Sequence, residues 1–307
     1  TEIANRQKVI ELLEAQKVAD AEAARTRILA EAEKVAAKDR AEADRIAATV
    51  AQGVHGRRRS GIGETFWQYR HHRPEDGRAA VDWRQSAKSD QLFVRQNEWE
   101  AANTVSLWRD GSASMQFASS RNVPTKADRA AVCLIAVAAL LTQGGERVSV
   151  LGESAIARTG ALGLERVSRR LILGPGAQQS VEAPHISRFS RIVLSSDFLD
   201  PPETWAARLS RFAAQEANGV LLRVVDPAEE DFPYSGRTRF EAPGSGETLL
   251  FGRAEEARNA YRARWAQHGE QLAALARQFG WTMITHRTDR PATSAVLSLF
   301  KTLARDV

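Results

Sequence analysis

From residue 104 to residue 303 the chain alternates between two hydrophobic periods. Short apolar runs, Thr104 to Arg109, Arg147 to Leu151, Arg191 to Leu194, Val220 to Val225 and Trp281 to Thr285, read as strands covered on both faces. Between them, apolar residues recur every three or four positions over Asp128 to Thr142, Leu162 to Leu173, Pro202 to Asn218, Ala254 to Phe279 and Thr293 to Leu303. That spacing predicts helices. Pro202 suits a first helical turn, and Gly280 closes the long helix before it. Gln91 to Arg95 adds an earlier strand, and Glu247 to Phe251 is expected to pair at a sheet edge. Strands alternating with helices predict an α/β fold, a mostly parallel Rossmann-like sheet with helices on both faces.

Residues 1–50 follow another pattern. They contain no Gly and no Pro, and Ala, Glu, Lys and Arg dominate. Ile3, Ile10, Leu13, Ala24, Ile28 and Val35 fall roughly on one stripe, interrupted at Lys17. A long exposed helix or coiled coil is expected, packed on a partner or on a second copy of itself. The glycines 53, 56, 61 and 63 around Arg57, Arg58 and Arg59 then mark a linker or functional loop. Two parts are expected, a helix over 1–50 and an α/β domain over 51–307.

Composition narrows the function. The 307 residues are 43% apolar, enough for a sizeable core. The longest apolar run, Ala130 to Leu141, is too short to span a bilayer and suits a buried helix. No charged-then-apolar leader opens the sequence, and a cytoplasmic protein is the expectation. Cys133 is the only cysteine, so an internal disulfide or a cysteine zinc cluster is excluded. The formal charge of +5 is uneven: residues 1–50 hold 9 Lys/Arg against 10 Asp/Glu, and the remainder 34 against 28. The arginines are spread with acids nearby, so nucleic acid is not an expected partner.

The candidate chemistry lies where the strand Thr104 to Arg109 ends. Asp110, Ser112 and Ser114 follow it as Asp-x-Ser-x-Ser, with Gly111 allowing a tight turn. One carboxylate and two hydroxyls at a strand's carboxyl end suit a hard cation, Mg²⁺ or Mn²⁺. Asp-Gly-Ser is also ordinary turn chemistry. Asp197 follows the strand Ile192 to Leu194 and is expected at the same edge, facing Asp110 if the two strands are neighbours. Thr159 precedes a helix, where an N-cap explains it as well as a ligand role. Enzyme motifs are missing: there is no phosphate-binding Gly-x-x-x-x-Gly-Lys-Ser/Thr loop, no His-Glu-x-x-His and no Gly-x-Ser-x-Gly. Gly244-Ser-Gly246 is a loop. Between 64 and 95, Arg70, Arg78, Arg84 and Arg95 alternate with acids and with Trp67, Tyr69 and Trp83. Such a set either braces the sheet edge or forms an anion- or peptide-binding surface.

Three resemblances add to this reading. Asp110, Ser112, Ser114, Thr159 and Asp197 are similar in order and spacing to the metal-ion-dependent adhesion site of von Willebrand factor type A domains. That likeness implies direct cation binding by the serines, contact from Asp110 and Asp197 partly through water, contact from Thr159 in some states, and an open position for a partner's carboxylate. Gly61 to Arg70, Asp76 to Lys88, Leu92 to Arg95, Ser196 to Asp200, Asp226-Pro227 and Asp231 to Pro233 resemble the domain of unknown function 58 (DUF58) family. The resemblance runs from about Val54 to Thr302. It implies a von Willebrand type A-like fold and a partner of the MoxR-type AAA+ ATPase class, in an accessory role toward client proteins. Ala4 to Lys17, Ala30 to Lys34 and Asp39 to Asp44 resemble the coiled-coil region of flotillin-like scaffolds. The expected function is a non-enzymatic adaptor module with a metal site. A coiled-coil-driven scaffold with a vestigial site and a metal-dependent hydrolase are the alternatives.

Overall fold

A computed structural model describes residues 30, 33–35, 37–52, 66–71, 81, 83–88, 91–97, 104–152, 157–173, 186, 190–244 and 246–304. The first 29 residues of the expected coiled coil, the glycine-rich segment 53–63 and much of the Arg/Trp-rich segment lie outside them. In chain order the elements are helix α1 (37–52), β1 (Phe66–His71), α2 (Trp83–Ser86), β2 (Phe93–Asn97), β3 (Thr104–Arg109), α3 (Lys126–Gln143), β4 (Arg147–Val150), α4 (Gly160–Leu173), β5 (Arg191–Ser196), α5 (Pro202–Ala213), β6 (Asn218–Val225), α6 (Pro227–Asp231), β7 (Thr238–Glu241), β8 (Thr248–Phe251), α7 (Ala254–Gln278), β9 (Thr282–Arg287) and α8 (Ala292–Ala304).

Five strands form one sheet in the order β4-β3-β5-β6-β9, and every pairing is parallel. This is the α/β, Rossmann-like arrangement expected of a von Willebrand type A-like domain. Its connections reverse direction between β3 and β5, the switch point where open sheets bind ligands beyond their carboxyl ends. The two faces carry separate cores. Val105, Leu107, Val193, Leu222 and Val224 pack under α3 and α8. Trp108, Ile192, Leu194 and Leu221 pack under α5 and α7, against Trp205, Phe212 and Leu272. Alternation of faces along each strand follows from the pleat.

Helix α3 is buried nearly all round, as its uninterrupted apolar run requires. It starts two residues before the predicted Asp128, because the Thr125 side chain accepts from the Asp128 N–H at 3.1 Å and sets the cap earlier. Helix α5 ends at Ala213, five residues short of the prediction. The chain turns through Glu216 at φ 56° so that Ala217 reaches the core. The run at Glu247 to Phe251 does not join the sheet. It pairs antiparallel with β7 in a separate hairpin, whose Phe240 lies 5.6 Å from Phe232 and 5.8 Å from Phe251. A hairpin that carries its own aromatic cluster does not need the sheet edge.

Helix α1 departs most from the expectation of an exposed rod. Ala43, Ile46, Ala47 and Val50 recur at helical spacing and join the core under α3 and α8. Glu42 binds Arg129 at 2.9 Å. Working against this docking, Asp39 is buried, and its pKa is pushed up to about 6 by burial, reinforced by Asp128 and Glu42. A folded-state pKa above the unfolded value means stability that is full below about pH 4 and is lost as pH rises through 6. The variant Asp39→Asn is therefore expected to raise stability at pH 7.5 by on the order of 2 kcal/mol and to change it little at pH 4. Urea denaturation at the two pH values checks this; equal effects at both would refute it.

Candidate functional site

Strand β3 delivers Asp110 to the carboxyl edge of the sheet, one residue past the strand's end. The Asp110 N–H continues the parallel ladder by donating to the Ser195 carbonyl at 2.8 Å, so the aspartate's backbone is fixed. The Ser112 N–H donates to Asp110 Oδ1 at 2.7 Å, a local turn that curls the chain back over the carboxylate. Ser196 Oγ donates to Asp110 Oδ2 at 2.6 Å from the neighbouring strand. The hydroxyls of Ser112 and Ser114 stand 3.0 Å apart, and a short 3-10 turn over Ala113–Gln116 places them on the same side. Asp110, Ser112 and Ser114 are half-buried. The tip of the β7–β8 hairpin leans on this loop: a Cβ at Gly244 would meet the Ala113 Cβ at 3.4 Å.

The donor set fits a hard cation. Each Asp110 oxygen accepts one hydrogen bond and retains another lone-pair direction, and the two hydroxyls lie within reach of a shared ligand position. Among the described residues, no group of three or more His, Cys, Asp and Glu side chains could hold a metal ion, so any such site rests on the serines.

The other two predicted residues are placed differently. Asp197 is buried just beyond β5 and turns toward α3, where Lys126 Nζ donates to its Oδ2 at 2.9 Å. Its Oδ1 receives the Leu199 N–H at 3.4 Å. Thr159 is exposed and is not brought to this edge. Its neighbour Arg158 bridges antiparallel to Val148, whose partner in β3 is Val105, five residues before Asp110. At about 3.3 Å per residue, Thr159 lies roughly 16 Å or more from the Asp110 loop along the strand direction.

Lys126 was not legible as a site residue. It is fully buried, and its ammonium bridges Asp197 and Glu229 while lying 5.9 Å from the Phe117 ring centroid. Glu229 is held independently by a capping box at the start of α6: its Oε2 accepts the Asp226 N–H at 2.9 Å, and Asp226 Oδ1 accepts the Ala228 N–H at 2.8 Å. Burial holds the Glu229 carboxyl above its ordinary range against the opposing pull of Lys126. One signal was available: a lysine as the first residue of a helix sits at the positive end of the dipole, an unfavourable place unless acids pair with it. Ser196, which orients Asp110, carried no such signal.

The family model described as protein of unknown function DUF58 matches residues 68–271. The chain belongs to the DUF58 family. Uncharacterized proteins of Mycobacterium bovis and Mycobacterium tuberculosis are similar to this chain, each 26% identical over 246 residues, covering 75% of this chain and 76% of the relative. Helix α1 lies outside the family match.

Three solved structures are similar in part. An aerotolerance-related membrane protein from Bacteroides fragilis, with multiple mutations to serines, is 16% identical, with TM-score 0.38, over 66% of this chain and 99% of its own. The conserved hypothetical protein BatB from Bacteroides thetaiotaomicron is 14% identical, with TM-score 0.37, over 66% and 100%. An uncharacterized membrane spanning protein from Vibrio fischeri is 15% identical, with TM-score 0.18, over 66% and 98%. Two of the three are described as membrane proteins, and the expectation of a cytoplasmic protein is corrected accordingly. The expectation rested on the lack of a leader-like segment and of a long apolar run, and neither bears on other means of membrane association. Among the described residues no helix is long and apolar enough to cross a membrane.

Proposed function

We propose that this DUF58 protein is a non-enzymatic interaction module. Asp110, Ser112 and Ser114 bind Mg²⁺ or Mn²⁺ and leave a coordination position open to an acidic side chain of a partner. Asp197, engaged by Lys126, is not part of this set. The bound cation supplies a concentrated positive charge that a carboxylate can complete. The single observation that supports this reading is that the Asp110 carboxylate stands at the switch point of the sheet with the Ser112 N–H folded back onto it and the Ser112 and Ser114 hydroxyls paired in the same loop. The partner follows from the DUF58 resemblance: a MoxR-type AAA+ ATPase, or a client protein that the two handle together.

The test is calorimetric titration of Mg²⁺ and Mn²⁺ into the wild type and Asp110→Ala. Asp110 is the only charged donor in the proposed direct set, so its loss is expected to weaken binding by about 100-fold or more. Equal binding by the variant, or none by the wild type, sinks the metal reading.

A further inference from the structure

A second feature of the same edge is an arginine that makes no ion pair among the described residues. Arg223 on β6 is the register partner of Ser196, the serine that holds Asp110. Arg223 is only 4% exposed. It lies on the α7 side of the sheet, where its guanidinium stacks on Trp265 at 4.3 Å. Gly269, one turn further along α7, makes room for it: a Cβ there would stand 2.7 Å from Nη1. His268 fixes this part of α7 by a 2.8 Å hydrogen bond to the Phe198 carbonyl.

Two of its nitrogens, Nε and Nη2, are buried and lack any hydrogen-bond partner among the described residues. They are the pair that lies along one side of the guanidinium plane, the fork that grips two oxygens of a carboxylate or phosphate. The nearby acids are engaged elsewhere. Asp197 and Glu229 both bind Lys126, and Glu230 binds Arg287 at 2.9 Å. Burial accordingly lowers the Arg223 pKa from its ordinary value, against the pull of these carboxylates. Burying charged donors without acceptors is costly, and a ligand that supplies the acceptors recovers that cost. Trp265, whose ring covers the guanidinium, is itself half-exposed.

We propose that the Nε–Nη2 fork of Arg223 is an oxyanion site, which takes the carboxylate or phosphate group of a small ligand at the carboxyl edge of the sheet. This site is separate from the cation site at Asp110 and does not depend on it.

The experiment is thermal melting and calorimetry of the full chain with inorganic phosphate and, separately, with acetate, each against chloride at matched ionic strength. One of the two anions raises the melting temperature and binds the wild type; which one responds names the ligand chemistry. Arg223→Lys keeps the charge and loses the fork, so it binds that anion at least about tenfold more weakly. Gly269→Ala presses a methyl group on Nη1 and weakens binding in the same direction. Gly252→Ala, where nothing lies within 4 Å of the added Cβ, responds like the wild type, and all titrations are run without divalent cations so that the outcome is independent of the metal site. A wild type that responds to neither anion beyond chloride overturns the proposal without recourse to any variant, as does unchanged binding by Arg223→Lys.

Discussion

Replacing Lys126 with Met is expected to cost about 3–5 kcal/mol of stability at pH 7, because it leaves Asp197 and Glu229 as uncompensated charges in the interior. The methionine fills the space of the lysine stem, so the loss is electrostatic and not a cavity effect. The pH dependence identifies the cause. In the variant the Glu229 carboxyl, held above its ordinary range by burial, loses the opposing pull of Lys126, so stability rises as pH falls and is lost as pH rises. The combined variant Lys126→Met, Asp197→Asn, Glu229→Gln removes the stranded charges and is expected to recover much of the loss. Replacing a whole buried ionic group by neutral residues of like volume is often tolerated where removing one partner is not. Urea denaturation from pH 5 to pH 8 measures all three proteins. A cost under about 1 kcal/mol for the single variant, or one independent of pH, would show that the ammonium does not neutralise the pair.

Gly219→Ala is expected to prevent folding or to cost more than about 4 kcal/mol, well above an ordinary surface change. At the start of β6 the glycine pairs with Ile192 of β5, and an added Cβ would lie 1.8 Å from the Ile192 carbonyl oxygen. The obstacle is the backbone of the adjoining strand, so no side-chain rotation relieves it. Widening the β5–β6 gap also disturbs the ladder that carries Ser196 beside Arg223. Gly252→Ala is the control: nothing lies within 4 Å of its added Cβ, and a change within about 0.5 kcal/mol is expected. Circular dichroism and urea melts compare the two variants. A soluble, cooperatively melting Gly219→Ala protein with less than about 1 kcal/mol of loss would contradict the close packing of these strands.

The parallel sheet was legible because its strands are covered on both faces and therefore read as continuous apolar runs. Val105 and Leu107 face one core and Trp108 the other, and the polar residue among them, Ser106, is buried with its hydroxyl 3.0 Å from that of Ser149. The Asp-x-Ser-x-Ser loop was legible for a related reason: its residues are close in sequence, and a strand end followed by Gly111 leaves few other arrangements. The β7–β8 hairpin was half seen, because Thr238 to Glu241 is short and mixed in polarity, and its partner alone looked like an edge strand.

Contacts between residues distant along the chain were of another kind. Lys126 and Glu229 are 103 positions apart, and Ser196 and Asp110 are 86 apart. Local periodicity carries no information on pairs so separated. The same holds for α1: a stripe of Ala43, Ile46, Ala47 and Val50 fits a coiled coil and fits docking under α3 equally well. The sequence by itself determined the α/β class, the five strands of the main sheet with the helices between them, the Asp110 loop and membership in the family, since each depends on short-range pattern. Tertiary structure decided which acid Lys126 neutralises, where Thr159 lies, and that Arg223 is buried with its fork unfilled. Those outcomes depend on which strands become neighbours and which helix covers them, a choice made by the burial of the whole core.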